Sequence, residues 1–586
     1  TEDLPKFRAL FPECCAQFDT PSFLEGVCFE PEEALRDLVR SRLEGLGPVT
    51  AQRLADEVSL PCVKIDAALL ALEVEGFVFQ GKFTPRAEQA GDGPVEWCER
   101  RLLQRIHRYT IDSHRKAIKP VSLQVYTQFL FDEHGLQPVR DDDEMPHSSA
   151  EASLDGQTQL QRSLAMLDGI SAPAASWEAD LYPSRVSDYD PNWLDVLCIS
   201  GRVTWGRYVQ PSASQRALHK GSSGPVKTTP IAIMSRANLD IWQAMARAQL
   251  KEADEGPRKT RVGQDAPSGK TFSNTAQRIE ADLLTNGASF FDQIQSRSGL
   301  LKAQLEEGLA ELVGAGRLNS DSFTGLRALL TPAAKKQGAH RRRRRSPMFG
   351  VEEAGRWSLL ETFAPRPADT AETEAMTTAR TETEAENTRR SPATPAIIRQ
   401  PRATRPNNSR SGWDVLDDDQ LERLISIYLN RWGVLFSSII ERELLAPPWR
   451  VLLRALRRME LRGTVRGGRF IAGVGGEQFA FQEAVDGLRS MAKEVAAAKP
   501  RYHSLAASDP LNLLNLILPR RKLAKLLNNR VLFEDGIPIA VVESGEVKFL
   551  REVAPEKQWA LQQALVQKNF PPRLRSYLGA GKATLK

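Results

Sequence analysis

Few of the residue patterns that metal sites need occur in this sequence. Its 586 residues include six cysteines, none in a CxxC pair, and seven scattered histidines. Zinc sites require such ligands at short fixed spacings, so no metal site is predicted. This cysteine usage indicates a reduced intracellular compartment. The cysteines are Cys14, Cys15, Cys28, Cys62, Cys98 and Cys198.

The sequence also has little net charge and no long apolar run. It has no N-terminal signal sequence and no apolar stretch of about 18 residues, so neither export nor membrane insertion is predicted and a cytoplasmic location is expected. The formal net charge is only +5, so any nucleic-acid-binding surface must be local. The chain begins at Thr1 without a methionine, which predicts a fragment of a longer protein.

One spacing of four residues occurs four times along the chain. In each copy a large apolar residue lies four positions before a glycine, an aliphatic residue two after it, and an aromatic residue seven after it. A fixed internal spacing indicates a repeated structural unit. The copies are Leu72, Gly76, Val78 and Phe83; Leu197, Gly201, Val203 and Tyr208; Leu312, Gly316, Leu318 and Phe323; and Met459, Gly463, Val465 and Phe470.

Each copy predicts the back half of a winged helix. The glycine suits the left-handed residue that ends a helix. In the first copy, Val78 and Phe83 are expected on two short strands around a turn at 80–81, and predicted helices over 34–46 and 51–58 supply the front half. The predicted buried face of the helix before Gly76 is Val63, Ala67, Leu70 and Val74.

The predicted fold class is α+β, mainly α, as a tandem winged-helix array closed by a small β-barrel-like module. A hairpin with an Asp-Gly turn over 529–543 indicates that last module. The predicted domains are a packing segment at 1–30, a winged helix at 31–85, a helical region and degenerate winged helix at 95–175, a winged helix with a strand at 176–250, a winged helix with a long basic wing insertion at 274–361, a disordered linker at 362–412, a winged helix with a basic face at 413–473, and the β-barrel-like module with a C-terminal tail at 474–586. A basic amphipathic helix is predicted over 96–109.

The third repeat is followed by a run of arginines. The segment 356–360 could supply the second wing strand, which would place the run in a wing insertion that contacts DNA. The alternative is a basic linker. The run consists of Arg341, Arg342, Arg343, Arg344 and Arg345.

The fourth repeat carries a basic helix face beside a basic wing. Helical spacing puts Leu452, Leu456 and Met459 on one side of a helix over 448–462 and three arginines on the other. Basic groups at these places suit the phosphates of DNA, although an ordinary solvated face is the alternative. The predicted DNA-binding residues are Arg450, Arg454, Arg457, Arg466 and Arg469. The first repeat has Lys64 among acidic residues on the corresponding helix, which favours a packing role.

A sequence similar to a phosphate-binding P-loop occurs at Gly263 and 269–271. Five residues separate the first glycine from the Gly-Lys pair where a P-loop has four, and no apolar strand precedes it. No nucleotide or other cofactor is therefore predicted for this chain.

Several segments resemble the C-terminal region of the Lhr family, the bacterial large helicase-related superfamily-2 DNA helicases. The resemblance implies a winged-helix array ending in a β-barrel, a role in DNA repair, and homo-oligomer assembly. It also implies a helicase core N-terminal to this region in the same polypeptide, which would hold ATP and Mg²⁺. DNA, further copies of the chain and the helicase core are thus the expected partners. The segments are 96–108, 185–195 (RVSDYDPNWLD), 441–449 (ERELLAPPW), 467–470, 477–479 and 508–512.

Two other functions stay open. The arrangement resembles DNA glycosylases of the AlkZ/YcaQ type, and glycosylase activity, such as uracil excision, is implied for Lhr C-terminal regions; it needs a polar group beside a flipped base. The candidates are Gln293 and Gln295, which form a Gln-x-Gln motif, and Asp509 and Asp535, which also suit an N-cap and a turn. A purely structural assembly module is the remaining possibility.

Overall fold

The computed structural model describes residues 3–15, 22–84, 94–116, 118–139, 155–209, 227–255, 272–331, 350–360, 415–495, 500–566, 574 and 578. They belong to two compact units, Thr1–Ile118 and Lys119–Lys586. The described part of the chain is mainly helical and contains five small antiparallel sheets. None of its helices is both long and apolar enough to cross a membrane.

The first unit contains one winged helix. Its helices are Leu4–Leu10, Pro12–Cys15, Pro31–Leu43, Ala51–Val58, Cys62–Val74 and Arg100–Lys116, and its strands are Val78–Gly81 and Glu96–Glu99. Thr50 caps the Ala51–Val58 helix, because its side chain accepts a hydrogen bond from the backbone N–H of Arg53. The core consists of apolar residues from these helices and from Val78 and Trp97.

The second unit contains the other three repeats and a four-stranded sheet. Its main helices are Leu123–Glu133, Gly156–Met166, Pro191–Ile199, Leu239–Glu255, Asn274–Asn286, Phe291–Ser298, Lys302–Ala315, Phe323–Leu330, Asp418–Trp432, Ser437–Ile440, Trp449–Leu461, Gln482–Glu494, Leu514–Ile517 and Pro555–Val566. Its strands are Ser171–Pro173, Val203–Gly206, Pro230–Ser235, Ser289–Phe290, Leu318–Ser320, Arg356–Leu359, Val434–Leu435, Arg466–Gly468, Gln478–Ala480, Tyr502–Ala506, Arg530–Glu534, Ile537–Glu543 and Glu546–Phe549.

All four repeats share one sheet topology. The last strand of each repeat lies between the first and second strands, as Arg356–Leu359 does between Ser289–Phe290 and Leu318–Ser320. In the first repeat a bridge between Val49 and Trp97 replaces the first strand. A predicted domain boundary lies between residues 175 and 176. The sheet of the second repeat includes Ser171–Pro173, so this repeat uses residues on both sides of that boundary. The winged-helix prediction is confirmed.

The glycine of each copy adopts the left-handed conformation that the spacing predicts. The φ angles of Gly76, Gly201, Gly316 and Gly463 are +71°, +74°, +76° and +78°. The residues four before and two after each glycine are all buried. The helix end and the start of the wing are therefore built alike in all four repeats.

The predicted buried face of the Cys62–Val74 helix is wrong. Val63, Leu70 and Val74 are 79%, 53% and 90% exposed, and Ala67 is exposed beside them. The face that packs into the core is Ile65, Ala68, Leu69 and Leu72. Both sides of this helix are apolar, so the period of the pattern does not say which side faces the core. We call Val63, Ala67, Leu70 and Val74 the exposed stripe.

The predicted wing of the first repeat also needs correction. Val78–Gly81 pairs with Glu96–Glu99 and not with a strand at Phe83. The predicted helix over 96–109 therefore begins at Arg100, after a strand. The Glu99 carboxylate accepts a hydrogen bond of 2.8 Å from the backbone N–H of Arg101 and so caps this helix at its true start.

The third repeat has the second wing strand that the sequence suggests. Arg356–Leu359 pairs antiparallel with Leu318–Ser320, and the helix Phe323–Leu330 lies between the two strands in sequence. The arginine run 341–345, the P-loop-like segment at 263 and 269–271, and the linker 362–412 lie outside the described residues. The predictions for these three segments stay predictions.

The last sheet is open where a barrel-like module is predicted. Its four strands pair in sequence order, the hairpin around Glu534–Ile537 forms as predicted, and within the described residues the first and last strands do not pair. Helices cover both faces, which removes the need to close the sheet. Phe131 packs on Phe533 at one face, and Leu565 joins the cluster of Leu532 at the other. The barrel prediction is therefore not supported.

Candidate nucleic-acid interface

Trp449–Leu461 is the third helix of the fourth repeat, and we call it the recognition helix. Among the third helices of the four repeats in the described chain, it is the most basic. It begins after Pro448, whose extended backbone ends the preceding turn. Leu452, Ala455, Leu456 and Met459 are buried. Arg450, Arg454 and Arg457 lie on the opposite face and are exposed. The structure therefore places these three arginines where the helical spacing predicts.

The wing beside this helix is held by a buried glutamine. The Gln478 side-chain oxygen accepts hydrogen bonds from the backbone N–H groups of Phe470 and Ile471, both at 2.9 Å. Its amide donates to the carbonyls of Ile471 and Val474 at 3.1 and 3.2 Å. These bonds fix the wing backbone, from which Arg466 and Arg469 extend into solvent. No spacing in the sequence singles out Gln478 for this role.

The exposed arginines of the recognition helix, the residue after it and the wing form two groups. Arg457 forms an ion pair with Glu477, Arg458 with Asp418 at 2.6 Å, and Arg462 with Glu422. The second group has no ion pair with any described residue, and we call it the free arginines. These are Arg450, Arg454, Arg466 and Arg469. Arg457 thus differs from the other predicted contacts in being neutralised across the wing.

The third helices of the other repeats lack such a face. Cys62–Val74 carries Lys64 with Asp66 and Glu73, and Lys302–Ala315 carries one cation, Lys302, with Glu306, Glu307 and Glu311. Pro191–Ile199 carries one charge, the carboxylate of Asp195. Acidic groups repel phosphates, so the described residues offer one basic winged-helix face, on the fourth repeat.

Asp509 is a buried structural group. Its carboxylate accepts hydrogen bonds from the Arg185 guanidinium at 2.8 and 2.9 Å and from the backbone N–H of Leu511 at 2.9 Å. Burial would raise the pKa of Asp509, but the Arg185 charge and these bonds outweigh it and lower the pKa. The carboxylate is therefore ionised, paired and closed to a substrate.

The other three glycosylase candidates also have local structural roles. The Asp535 carboxylate accepts from the backbone N–H of Arg501 at 2.8 Å and sits in the turn before Gly536. The Gln293 side chain accepts from the backbone N–H of Phe290 at 3.1 Å and caps its helix. Gln295 lies half-buried one turn before the end of that helix. Within the described residues no hydrogen bond joins any of the four candidates, so they form no common site.

Comparisons with known proteins agree with this architecture. Residues 121–222 and 414–500 match models of the third and fourth winged-helix domains of the large helicase-related protein Lhr. The chain is 27% identical over 498 residues to an Lhr helicase/probable uracil glycosylase of Mycolicibacterium smegmatis, covering 82% of this chain and 26% of that protein. It is 25% identical over 512 residues to the Lhr helicase/uracil glycosylase of Escherichia coli, covering 83% and 27%.

The chain thus spans about a quarter of the length of these relatives. The second family match contains the recognition helix, the wing and Gln478. The first contains Arg185 and the second repeat up to its wing. With the two relatives, these matches support a C-terminal region of the Lhr family of large helicase-related proteins, with two of its winged-helix domains.

Proposed function

We propose that this chain binds DNA through phosphate contacts of its fourth winged helix. The observation that carries the proposal is the group of four free arginines on the recognition helix and wing. A winged helix sets this helix in the major groove and the wing over the adjacent backbone. Each phosphate that an arginine neutralises releases counterions, which favours binding.

We assign these contacts to the phosphate backbone. Arginines contacting phosphates position a protein without reading sequence. The proposal is therefore binding to duplex DNA with little sequence preference, as a non-motor part of a repair helicase.

Two matched double variants test this proposal. Arg450→Ala with Arg454→Ala removes two free arginines, whereas Arg458→Ala with Arg462→Ala removes two paired arginines, one in the same helix and one directly after it. Loss of two phosphate contacts lowers the slope of log affinity against log salt by about 1.8. The paired variant should keep the wild-type slope. Equal slopes in both variants and the wild type would contradict the proposal.

We also propose that the chain forms homo-oligomers through the exposed stripe. A helix that is apolar on both sides normally buries both, and burial of each Val or Leu side chain contributes about 1.5–3 kcal/mol. Asp66 and Glu73 flank the stripe. The Arg100–Lys116 helix of a second copy offers a complementary surface, with half-buried to exposed Leu102 and Tyr109 among arginines.

Light scattering on a stripe variant tests this second proposal. Val63→Ser, Leu70→Ser and Val74→Ser together should lower the measured mass to that of one chain. The control replaces three exposed apolar residues elsewhere by serine and should keep the wild-type mass. A wild-type monomer at micromolar concentration would contradict the proposal. The control residues are Val196, Leu284 and Leu301.

The helicase core is proposed to lie elsewhere in the same polypeptide and to hold ATP and Mg²⁺ there. Both relatives are named as helicases, and this chain matches about a quarter of each. The P-loop-like spacing at 263–271 departs from the pattern that cradles phosphates. Saturable binding of ATP to this chain would contradict the assignment.

A uracil glycosylase is the alternative, because the names of both relatives include that activity. Asp509 is an unsuitable catalytic group since Arg185 holds both of its oxygens. Incubation with a uracil-containing duplex, followed by alkaline cleavage of abasic sites, decides whether this chain excises the base. If it does, Asp535→Asn and Gln293→Ala would identify which candidate takes part.

A further inference from the structure

A second basic surface lies on residues 518–529, which we call the basic loop. In the chain, this loop precedes the second strand of the four-stranded sheet and follows the first. The stretch 519–525 has four cationic residues and no acidic one. Arg521 pairs with Glu543 at 3.4 Å. Arg520, Lys522 and Lys525 are exposed and form no ion pair with any described residue.

The backbone of the basic loop is held in place. Leu523 is buried. The Asn529 side chain donates to the Ala524 carbonyl at 2.9 Å and accepts from the backbone N–H of Ser544 at 3.2 Å. These bonds tie the loop to the sheet, so its cations extend from a fixed support.

The segment that precedes the basic loop contacts the turn that leads into the recognition helix. Arg442 in that turn donates to the carbonyls of Pro510 and Asn512 at 3.0 and 2.7 Å. The Lys525 side chain is exposed in part, and the neighbouring chain desolvates it enough to lower its pKa; the Arg442 charge acts in the same direction and the Glu443 charge opposes it.

We propose that the basic loop is a second contact surface for the phosphate backbone of the same DNA. The inference rests on the proposed DNA binding and extends it from the fourth winged helix to the four-stranded sheet. Arg520, Lys522 and Lys525 are spread along an exposed loop, which fits successive phosphates of a polyanion better than one small anion. The result is a composite surface made by two parts of the chain.

Fluorescence anisotropy with a duplex of about 30 base pairs measures this contribution as the salt dependence of affinity. The test variant carries Arg520→Ala, Lys522→Ala and Lys525→Ala. The control variant, Lys64→Ala, Arg489→Ala and Lys493→Ala, removes the same charge from exposed sites elsewhere. Loss of three phosphate contacts lowers the slope by about 2.7, so between 50 and 200 mM salt the wild type loses roughly 40-fold more affinity than the test variant.

The outcomes separate this inference from the proposed function. A wild-type slope in the loop variant, with a reduced slope in the Arg450 and Arg454 variant, overturns the inference and leaves the proposed function standing. Wild-type slopes in the loop variant and in the Arg450 and Arg454 variant overturn the inference and the proposed function together. An equal fall in the control variant overturns the inference, because the effect then follows net charge. Selective loss of inorganic phosphate binding, with an unchanged DNA slope, makes the loop a small-anion site and also overturns it.

Thermal unfolding checks that the loop variant is folded. The three side chains form no ion pair with a described residue, so the midpoint should equal that of the wild type. A second version with Arg520→Gln, Lys522→Gln and Lys525→Gln keeps a polar side chain at each position and should show the same reduced slope. A wild-type slope in a folded glutamine version would overturn the inference.

Discussion

Arg185 and Asp509 form a bidentate ion pair with both side chains buried, although 324 positions separate them. Arg185 belongs to the second repeat and Asp509 follows the first strand of the four-stranded sheet. Two further buried pairs start from the same segment, Glu178 with Arg327 and Asp180 with Arg530. The segment around residue 180 therefore joins the second repeat to the third repeat and to the sheet.

Removal of the Asp509 charge alone should destabilise the second unit strongly. Asp509→Asn leaves the Arg185 charge buried without a partner, which costs about 3–5 kcal/mol. The double variant Arg185→Met with Asp509→Leu should cost much less, because no charge is stranded. Urea unfolding followed by circular dichroism measures both. A single variant as stable as the wild type would remove the structural role assigned to this pair.

The Arg185–Asp509 pair should make the folded state less stable in acid. The folded-state pKa of Asp509 is lowered, so its stabilisation is present above the ordinary carboxyl pKa of about 4 and is lost as pH falls through the folded value.

Two buried histidines should make stability fall at mildly acidic pH. Burial, with the Arg185 charge, lowers the pKa of His134 to about 3, and burial, with Arg501, lowers that of His503 to about 4. An unfolded histidine titrates near 6.5, so below that pH the unfolded chain binds more protons and stability falls, by about 1.4 kcal/mol per histidine and pH unit.

His134→Gln should reduce this pH dependence. Glutamine can still donate to the Arg431 carbonyl that His134 contacts at 2.8 Å, and it takes up no proton. Thermal midpoints between pH 7 and about 4.5 should fall less steeply than in the wild type. His107→Gln, on the exposed Arg100–Lys116 helix, is the control and should keep the wild-type slope. Identical slopes for His134→Gln and wild type would contradict the assignment.

Gly536→Ala should separate the hairpin turn from the helix that covers it. A Cβ at this position would lie 2.4 Å from the Gln124 carbonyl oxygen, and φ is +80°. Gly463→Ala has φ +78° but nothing within 4 Å, so it should cost only the left-handed strain of about 1–2 kcal/mol. Thermal unfolding should show a clearly larger loss for Gly536→Ala. Equal losses would mean that the turn shifts without cost.

Glu477→Gln should strengthen DNA binding. This change releases Arg457 from its ion pair and removes an acidic group from the wing. The salt slope should rise by about 0.9 if Arg457 then contacts a phosphate. Glu483→Gln removes one exposed acidic charge on the following helix and should have a smaller effect. An unchanged slope in Glu477→Gln would place Arg457 outside the binding face.

Much of the candidate site could be predicted from helical spacing. Arg450 and Arg454 lie opposite Leu452 and Leu456, as the spacing requires, because a single helix fixes these relations locally. The pairing of Arg457 with Glu477 was not predictable, since the wing turn brings the two residues together. The support of the basic loop was not predictable either, because Asn529 holds it through a hydrogen bond from the backbone N–H of Ser544, which follows the third strand of the four-stranded sheet.

The sequence by itself determined the repeated unit. Each of Gly76, Gly201, Gly316 and Gly463 meets a local demand, a left-handed residue between helix and wing, and local demands can be recognised from spacing. The tertiary structure alone decided which side of the Cys62–Val74 helix is buried, that Glu96–Glu99 is a strand, and that the last sheet stays open. Helical spacing does not show which side of a helix is buried when both sides are apolar. The role of Asp509 depends on an arginine 324 positions away in the sequence.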